Sequence, residues 1–591
     1  MSGGQAHAAP RILVADRSRG VRWGRVAWAA LWLAMAAAVV FIAIVPLVYV
    51  VDAQFYRETR VGLAADRSLA AFLDVFAGTE YLGYLASALL LAGVVTVLSL
   101  GIGVFFALVV GRTDVRRKAL WDMLITLPLY LSPFTGLMAW IALGSEKTGF
   151  LNVAANGVLG LFIAPPGPLV NIWSYGGVVY VMTLFFCPLV YLFTVSSLRS
   201  MNTSLEEAAR TAGARPLVTI LRITLPLCLP AVFASGLLVF ILAAEMYTIP
   251  GIIGANAGFI TLPWRIFEDS TAAPVHRAHA AAGGTMLLMV TVLGVWLQGR
   301  LTRSAQRFVT VGGKGFNGRP LPLGRLRLAV TACILLYALA ADILPFGALL
   351  VSSVMKFSAG SFGADVLTLK HYATFFTTAN MLGALWNTVF LAVLSAVVCV
   401  AVGLLISLSE LRRPSAATKA LAFLAVLPVA VPGLVYGLGL VWTFIRTPLY
   451  GSIWILLFAY VAKFLPYGVM VSRTGLMQLH PELEEGARMS GAGRGRVLRF
   501  ITVPLLKPTL VAVGFFVMLS CIKELSASVL LYSQDSQVLS VLTWHYMDSG
   551  DYQFAAAIGV VQTLIMGGVV FVAQSVFRVR LDRAFGRDAT A

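Results

Sequence analysis

Residues Ser204–Pro230 read SLEEAARTAGARPLVTILRITLPLCLP, and residues Glu482–Pro508 read ELEEGARMSGAGRGRVLRFITVPLLKP. At a constant offset of 278 residues they pair Glu206 with Glu484, Glu207 with Glu485, Ala209 with Ala487, Arg210 with Arg488, Gly213 with Gly491, Ile223 with Ile501 and Pro226 with Pro504. The matches fall in a polar segment, where shared hydrophobicity cannot produce them. The chain therefore carries an internal repeat, and its architecture follows from that repeat. Each copy lies between two long apolar runs, which makes each a loop of a membrane protein. Both copies open acidic, Ser204 and Glu207 have capping-box spacing, and Pro481 suits a first helical turn, so each loop is expected to hold a short helix. The small residues Ala208, Ala209, Ala212, Gly213 and Ala214 would let a partner backbone approach closely.

The rest of the chain agrees with a membrane setting. Of 591 residues, 59% are hydrophobic and 12% charged, and mean hydropathy is +0.87. Apolar runs of roughly 20 residues cross a bilayer as helices. The net charge of +18 does not point to nucleic acid, because Lys and Arg crowd alternate loops, the pattern that writes membrane topology. Cys187, Cys228, Cys333, Cys399 and Cys521 lie in or beside apolar runs without metal-ligand spacing and read as small buried hydrophobes.

Spans are expected at 27–51, 84–111, 119–143, 175–198, 229–250 and 281–300, then at 328–353, 384–409, 418–444, 452–472, 509–532 and 555–577. The fold class is thus an all-α polytopic membrane protein of about twelve transmembrane helices in two homologous six-helix halves. A basic leader (1–26), a first half (27–301), a basic linker (302–327), a second half (328–578) and a tail (579–591) divide the chain. Basic residues place the leader, both repeat loops, the linker and the tail in the cytoplasm. A second correspondence, Leu127–Trp140 with Leu427–Trp442, runs at an offset of 300, so the first half carries an insertion around 148–174 on the outer side.

The loop pattern, E-A-A, three residues, G, nine residues, I-x-L-P, resembles that of inner-membrane permease subunits of binding-protein-dependent ABC importers. Glu207-Ala208-Ala209, Gly213 and Ile223-Thr224-Leu225-Pro226 match it fully, while the second copy, Glu485-Gly486-Ala487 with Gly491, has Gly486 for the middle Ala and Val503 for Leu. The fused two-copy layout, with KELSASVLLY from Lys523 and GDYQFAAAIG from Gly550, looks most like ferric-iron-type permeases. The resemblance implies a type I ABC importer permease fold. It also implies a periplasmic solute-binding protein, the inner membrane, and two copies of a cytoplasmic ATPase that carry the ATP and Mg. Those ATPases would dock on Glu206, Glu207, Ala208, Ala209 and Gly213, and on Glu484, Glu485, Gly486, Ala487 and Gly491. Related fused permeases move thiamine, 2-aminoethylphosphonate or other small solutes, so the cargo stays open between these and iron.

No catalytic or nucleotide-binding signature appears. Gly312-Gly313-Lys314-Gly315 lacks P-loop spacing, and Gly491–Gly495 lacks the strand and last glycine of a dinucleotide fingerprint. The chain is therefore read as a transport subunit, not an enzyme, with no cofactor or metal of its own.

Ionisable residues inside spans are costly and are candidate pathway groups. Glu245 and Glu524 stand at nearly the repeat offset and either line a cation path or gate, or serve packing, with Lys523 neutralising Glu524. Lys463 attracts an anionic solute or pairs with a buried acid, and Asp342 sits toward an outer end. His276, His279, His371 and His545 look scattered rather than spaced as ligands. The rival from another class is a gradient-driven secondary transporter, which would leave both loop motifs unexplained.

Overall fold

The computed structural model describes residues 17–59, 62–159, 167–201, 204–306, 320–357 and 364–577. The basic leader up to residue 16, the GGKG stretch of the linker and the tail from 578 lie outside them. In chain order the first half comprises α1 (Arg17–Ala53), a hairpin of β1 (Tyr56–Thr59) and β2 (Gly62–Arg67), α2 (Ala70–Ala77), α3 (Thr79–Arg112), α4 (Lys118–Thr126), α5 (Pro133–Gly144), α6 (Phe150–Leu159), α7 (Tyr175–Ser200), α8 (Ser204–Thr211), α9 (Pro216–Thr219), α10 (Leu225–Glu245), α11 (Leu262–Thr271) and α12 (Arg277–Gln306). The second half repeats much of this as α13 (Leu326–Ala338), α14 (Leu344–Ser353), α15 (Lys370–Thr377), α16 (Ala379–Arg412), α17 (Ala416–Val426), α18 (Gly433–Phe444), α19 (Ile453–Met477), α20 (Pro481–Met489), α21 (Arg494–Val497), α22 (Val503–Ile522), α23 (Ser528–Leu531), α24 (Leu539–Asp548) and α25 (Tyr552–Ser575).

Among the described residues, ten helices are long and apolar enough to cross a membrane. The count reaches twelve only if each of two sharply bent pairs is one span, Lys118–Tyr130 with Pro133–Gly144 at 97°, and Ala416–Ala430 with Gly433–Phe444 at 112°. The continuous third spans expected at 119–143 and 418–444 are thus corrected: each is a pair of helices sharply bent at a short break. Proline is the cause. Pro128 and Pro428 each sit in a 3-10 turn, Leu131 and Val431 are extended, and Pro133 or Pro432 closes each gap. Proline has no N–H to give, and Ser132 and Val431, the residues before Pro133 and Pro432, are pushed into extended backbone.

The freed carbonyls find side chains from other spans, as backbone inside a bilayer must. Lys523 Nζ donates to Leu129 O at 2.8 Å, and Thr291 Oγ1 donates to Ala430 O at 2.7 Å.

The halves interlock. α1 packs on α17 and α18 of the second half, and α14 packs on α5 of the first. Tyr436 Oη donates to Ile42 O at 2.8 Å across one of these contacts. Within the second half α16 crosses α19 where Gly403 meets Gly468, and a Cβ on Gly403 would lie 2.5 Å from the Gly468 carbonyl carbon. Only glycine lets two helix backbones come that near.

Four of the five cysteines are buried, as expected, but Cys333 is exposed on α13. The first-half insertion forms α6 and a strap at 167–174 gathered around Asn152.

Candidate functional site

Both repeat loops fold alike. α8 and α20 end in glycine at positive φ, +83° at Gly213 and +82° at Gly491. Gly213 N donates to Arg210 O and Ala214 N to Ala209 O, both at 2.9 Å; Gly491 N and Ala492 N do the same to Arg488 O and Ala487 O at 3.0 Å. This bond pair is a Schellman closure, whose turn residue must enter the left-handed region. Within this chain an added Cβ meets nothing within 4 Å at either glycine, so packing inside the chain does not call for glycine there. Backbone conformation is the requirement.

The two acidic residues of each loop separate into different roles. Glu206 and Glu484 are buried, at 5% and 4% exposure. Glu206 forms an ion pair with Arg112, whose Nε lies 3.3 Å away, and accepts a hydrogen bond from the Thr224 hydroxyl at 2.8 Å. Glu484 takes Arg412 Nε at 3.0 Å and the Thr502 hydroxyl at 3.0 Å. Each loop helix is therefore bolted to the end of one span (α3 or α16) and to the π-helical turn that leads into another (α10 or α22). Glu207, Ala208, Glu485 and Gly486 remain exposed, while Ala209 and Ala487 are half-buried. Leu205, Leu483 and Met489 are exposed beside them. Short apolar and acidic groups thus remain exposed on a helix that its buried glutamate ties to two neighbouring elements.

The charged residues at depth also converge. Lys463 Nζ on α19 lies 2.7 Å from Glu524 Oε2, and Ala527 N holds Glu524 Oε1 at 3.1 Å. Glu245, at the end of α10, is close enough to Lys463 and Glu524 to interact with both. The expected pairing of Glu524 with Lys523 is corrected: adjacent residues diverge, and Lys523 instead caps the broken first-half span at Leu129. Lys463 packs at the start of α18, where a Cβ on Gly433 would come within 2.6 Å of its Nζ. Lys463 and Glu524 thus set opposite charges side by side, with the Glu245 carboxyl nearby.

Asp342, expected near an outer end, is buried in a π-helical turn midway along Leu326–Ser353, and both its carboxylate oxygens lack hydrogen-bond partners among the described residues. Of the histidines read as scattered, His276 and His279 meet on one carboxylate, Glu58. The helical spacing of three residues was the available signal; Glu58 is far away in sequence.

Comparison with known proteins gives a consistent result. The family model described as "Binding-protein-dependent transport system inner membrane component" matches residues 99–307 and 400–586. The ferric transport system permease protein FbpB of Actinobacillus pleuropneumoniae is 28% identical over 498 residues, 82% of this chain and 70% of that protein. The Fe(3+)-transport system permease protein FbpB 2 of Haemophilus influenzae is 25% identical over 528 residues, 89% of this chain and 94% of that protein. A putative 2-aminoethylphosphonate transport system permease protein, PhnV of Salmonella paratyphi A, is 28% identical over 253 residues, 41% of this chain and 91% of that protein.

Proposed function

The chain belongs to the family of binding-protein-dependent transport system inner membrane components and is the permease subunit of an ABC importer, and we propose that it carries ferric iron inward, taking it from a periplasmic binding protein and drawing power from two copies of a cytoplasmic ATPase. The observation that carries the coupling part is the duplicated loop helix, clamped by a buried glutamate and closed by a left-handed glycine, with an acidic and apolar face left open. For the cargo, the support is that relatives named for ferric transport align over both halves, whereas those named for 2-aminoethylphosphonate align over 41% of the chain.

In this reading ATP and Mg stay on the partner, and the permease's task is to convert a displacement at α8 and α20 into a change at depth. The Glu206 and Glu484 clamps suit that task. A push on α8 reaches α3 through Arg112 and α10 through Thr224. α10 then runs about 30 Å, at 1.5 Å per residue, to Glu245 beside the Lys463–Glu524 pair. The second half mirrors this through Arg412, Thr502 and α22, which ends next to Glu524. The two bent spans lie where the halves interlock, so closing one end of the bundle and opening the other needs movement at few hinges. Both termini and both loops face the cytoplasm, in line with the distribution of Lys and Arg.

The test is uptake of labelled ferric iron in cells expressing the chain with its cognate ATPase and binding protein, alongside labelled thiamine and 2-aminoethylphosphonate. ATP-dependent iron uptake supports the cargo. Uptake of another solute with ATPase activity still stimulated would replace the cargo and keep the coupling. Failure of the ATPase to co-purify would overturn the coupling loops.

A further inference from the structure

At the end of the molecule away from the repeat loops, the β1–β2 hairpin touches the start of α12. α3 separates the two regions: its first residues lie near the hairpin, and Arg112 at its far end holds α8, about 50 Å away at 1.5 Å per residue. At the hairpin, His276 Nδ1 and His279 Nδ1 lie 3.2 Å and 3.0 Å from the same oxygen, Glu58 Oε2. The three ligand atoms all fall within 4.8 Å of one another.

We propose that Glu58, His276 and His279 form a binding site for a divalent first-row transition metal ion of the zinc type, which fastens the β1–β2 hairpin to α12.

Geometry and chemistry agree on this class of ion. Ligands about 2.0–2.1 Å from a tetrahedral zinc stand roughly 3.3 Å apart, near the spacing of the two histidine nitrogens from Glu58 Oε2. Two imidazoles with one carboxylate suit zinc, iron, copper or nickel better than calcium or magnesium, which want oxygen. A fourth position is left for water.

The surroundings fix each ligand. Glu58 Oε1 is held by the backbone N–H groups of Ala278 and His279 at 2.6 Å and 3.1 Å, so Oε2 is the oxygen left for an ion. His279 Nε2 lies 3.1 Å from Asp74 Oδ2 on α2. An N–H donated there leaves Nδ1 as the metal-binding nitrogen, the carboxylate–histidine–metal arrangement common around zinc. The Tyr81 ring stacks near the His279 ring at 6.1 Å between centroids and limits its rotation. The His276 side chain is 45% exposed, which leaves an ion a way in.

Without an ion, the same contacts are hydrogen bonds donated from Nδ1, with His279 donating from Nε2 to Asp74 as well. An ion would take the place of the Nδ1 protons, leaving each ring one proton on Nε2: His279 releases its Nδ1 proton and keeps the Asp74 contact, and His276 shifts to the Nε2–H tautomer. The site needs no transport, so its test stands apart from the importer reading.

The experiment uses the untagged full-length chain, purified in detergent, stripped with chelator and titrated with Co²⁺ and then Zn²⁺. Expected are about one tightly held ion per chain, intense visible bands of four-coordinate Co²⁺, displacement by Zn²⁺, and a Zn²⁺-dependent rise in melting temperature. His276→Gln and His279→Gln should abolish all of these, and Asp74→Asn should weaken affinity about 10–100-fold. His371→Gln and His545→Gln should change nothing. If Glu58→Gln fails to fold, the half-exposed His276→Gln still decides the matter. Failure to hold one ion, or equal binding by His276→Gln and the parent chain, would overturn the proposal.

Discussion

Arg412 Nε lies 3.0 Å from Glu484 Oε2, with the carboxylate buried and the guanidinium at the last turn of α16. The first half repeats the contact between Arg112 and Glu206. This separates two neighbouring glutamates that look interchangeable in sequence: one positions the loop helix and the other faces outward.

The separation is testable. Glu206→Ala or Glu484→Ala strands a poorly exposed guanidinium and a hydroxyl, and should cost about 2–4 kcal/mol locally. It should lower the melting temperature of the purified chain and release α8 or α20 to faster hydrogen exchange. Glu207→Ala and Glu485→Ala remove exposed charges and should shift stability by less than about 0.5 kcal/mol, while reducing co-purification of the ATPase. Equal melting temperatures for Glu206→Ala and Glu207→Ala would remove the clamp.

Gly213 and Gly491 make a second case. If open space were their role, alanine would be harmless and tryptophan harmful. Because the backbone is left-handed at both, alanine should itself cost about 1–2 kcal/mol of loop stability, and asparagine less. The expected order of ATPase stimulation is Gly, then Asn, then Ala close to Trp. Normal coupling in Gly213→Ala/Gly491→Ala would contradict the conformational account.

At depth, Lys463 and Glu524 neutralise each other at 2.7 Å. Lys463→Met leaves Glu524 without its cation in a poorly exposed site, and loss of about 3–5 kcal/mol is expected, seen as reduced membrane abundance. Lys463→Met with Glu524→Leu should recover most of it, because removing both charges removes the unpaired one. Transport by that double variant then reports whether the pair gates the path or only packs. A double variant as unstable as the single would show that the two side chains act independently.

How much of this could be read from the chain follows from how each feature is encoded. The loops were legible because polar residues repeat at one offset, and the two-half architecture followed from them. Their clamps were not, because Arg112 and Arg412 correspond at an offset of 300 while Glu206 and Glu484 correspond at 278. No single alignment brings both ends of the contact together. The broken spans were hidden by unbroken hydropathy, although Pro128, Pro133, Pro428 and Pro432 marked the breaks. Lys523 was assigned to Glu524 by adjacency, but the partner came from α19, and nothing local in sequence points to it.

Asn152 shows how one buried amide can organise an insertion that otherwise looks like an arbitrary loop. It is 1% exposed. Its Nδ2 donates to Ser145 O at 2.9 Å and Val170 O at 2.7 Å, and its Oδ1 accepts from the N–H groups of Leu169 and Val170, each at 2.9 Å. One amide thus replaces a turn of secondary structure between α6 and the strap that leads to α7. Asn152→Ala should strand these backbone groups at about 1–3 kcal/mol for each one left buried and unsatisfied. The strap would open to water to relieve that cost, giving faster hydrogen exchange at Leu169 and Val170 and proteolysis between 160 and 172 while the spans stay intact. Asn152→Asp keeps the acceptor but turns a carboxylate oxygen toward two carbonyls, so it should fare no better than alanine. Unchanged protection at Leu169 and Val170 in Asn152→Ala would show that the strap is held elsewhere, with Ile172 N on Gly144 O at 3.0 Å the first place to look.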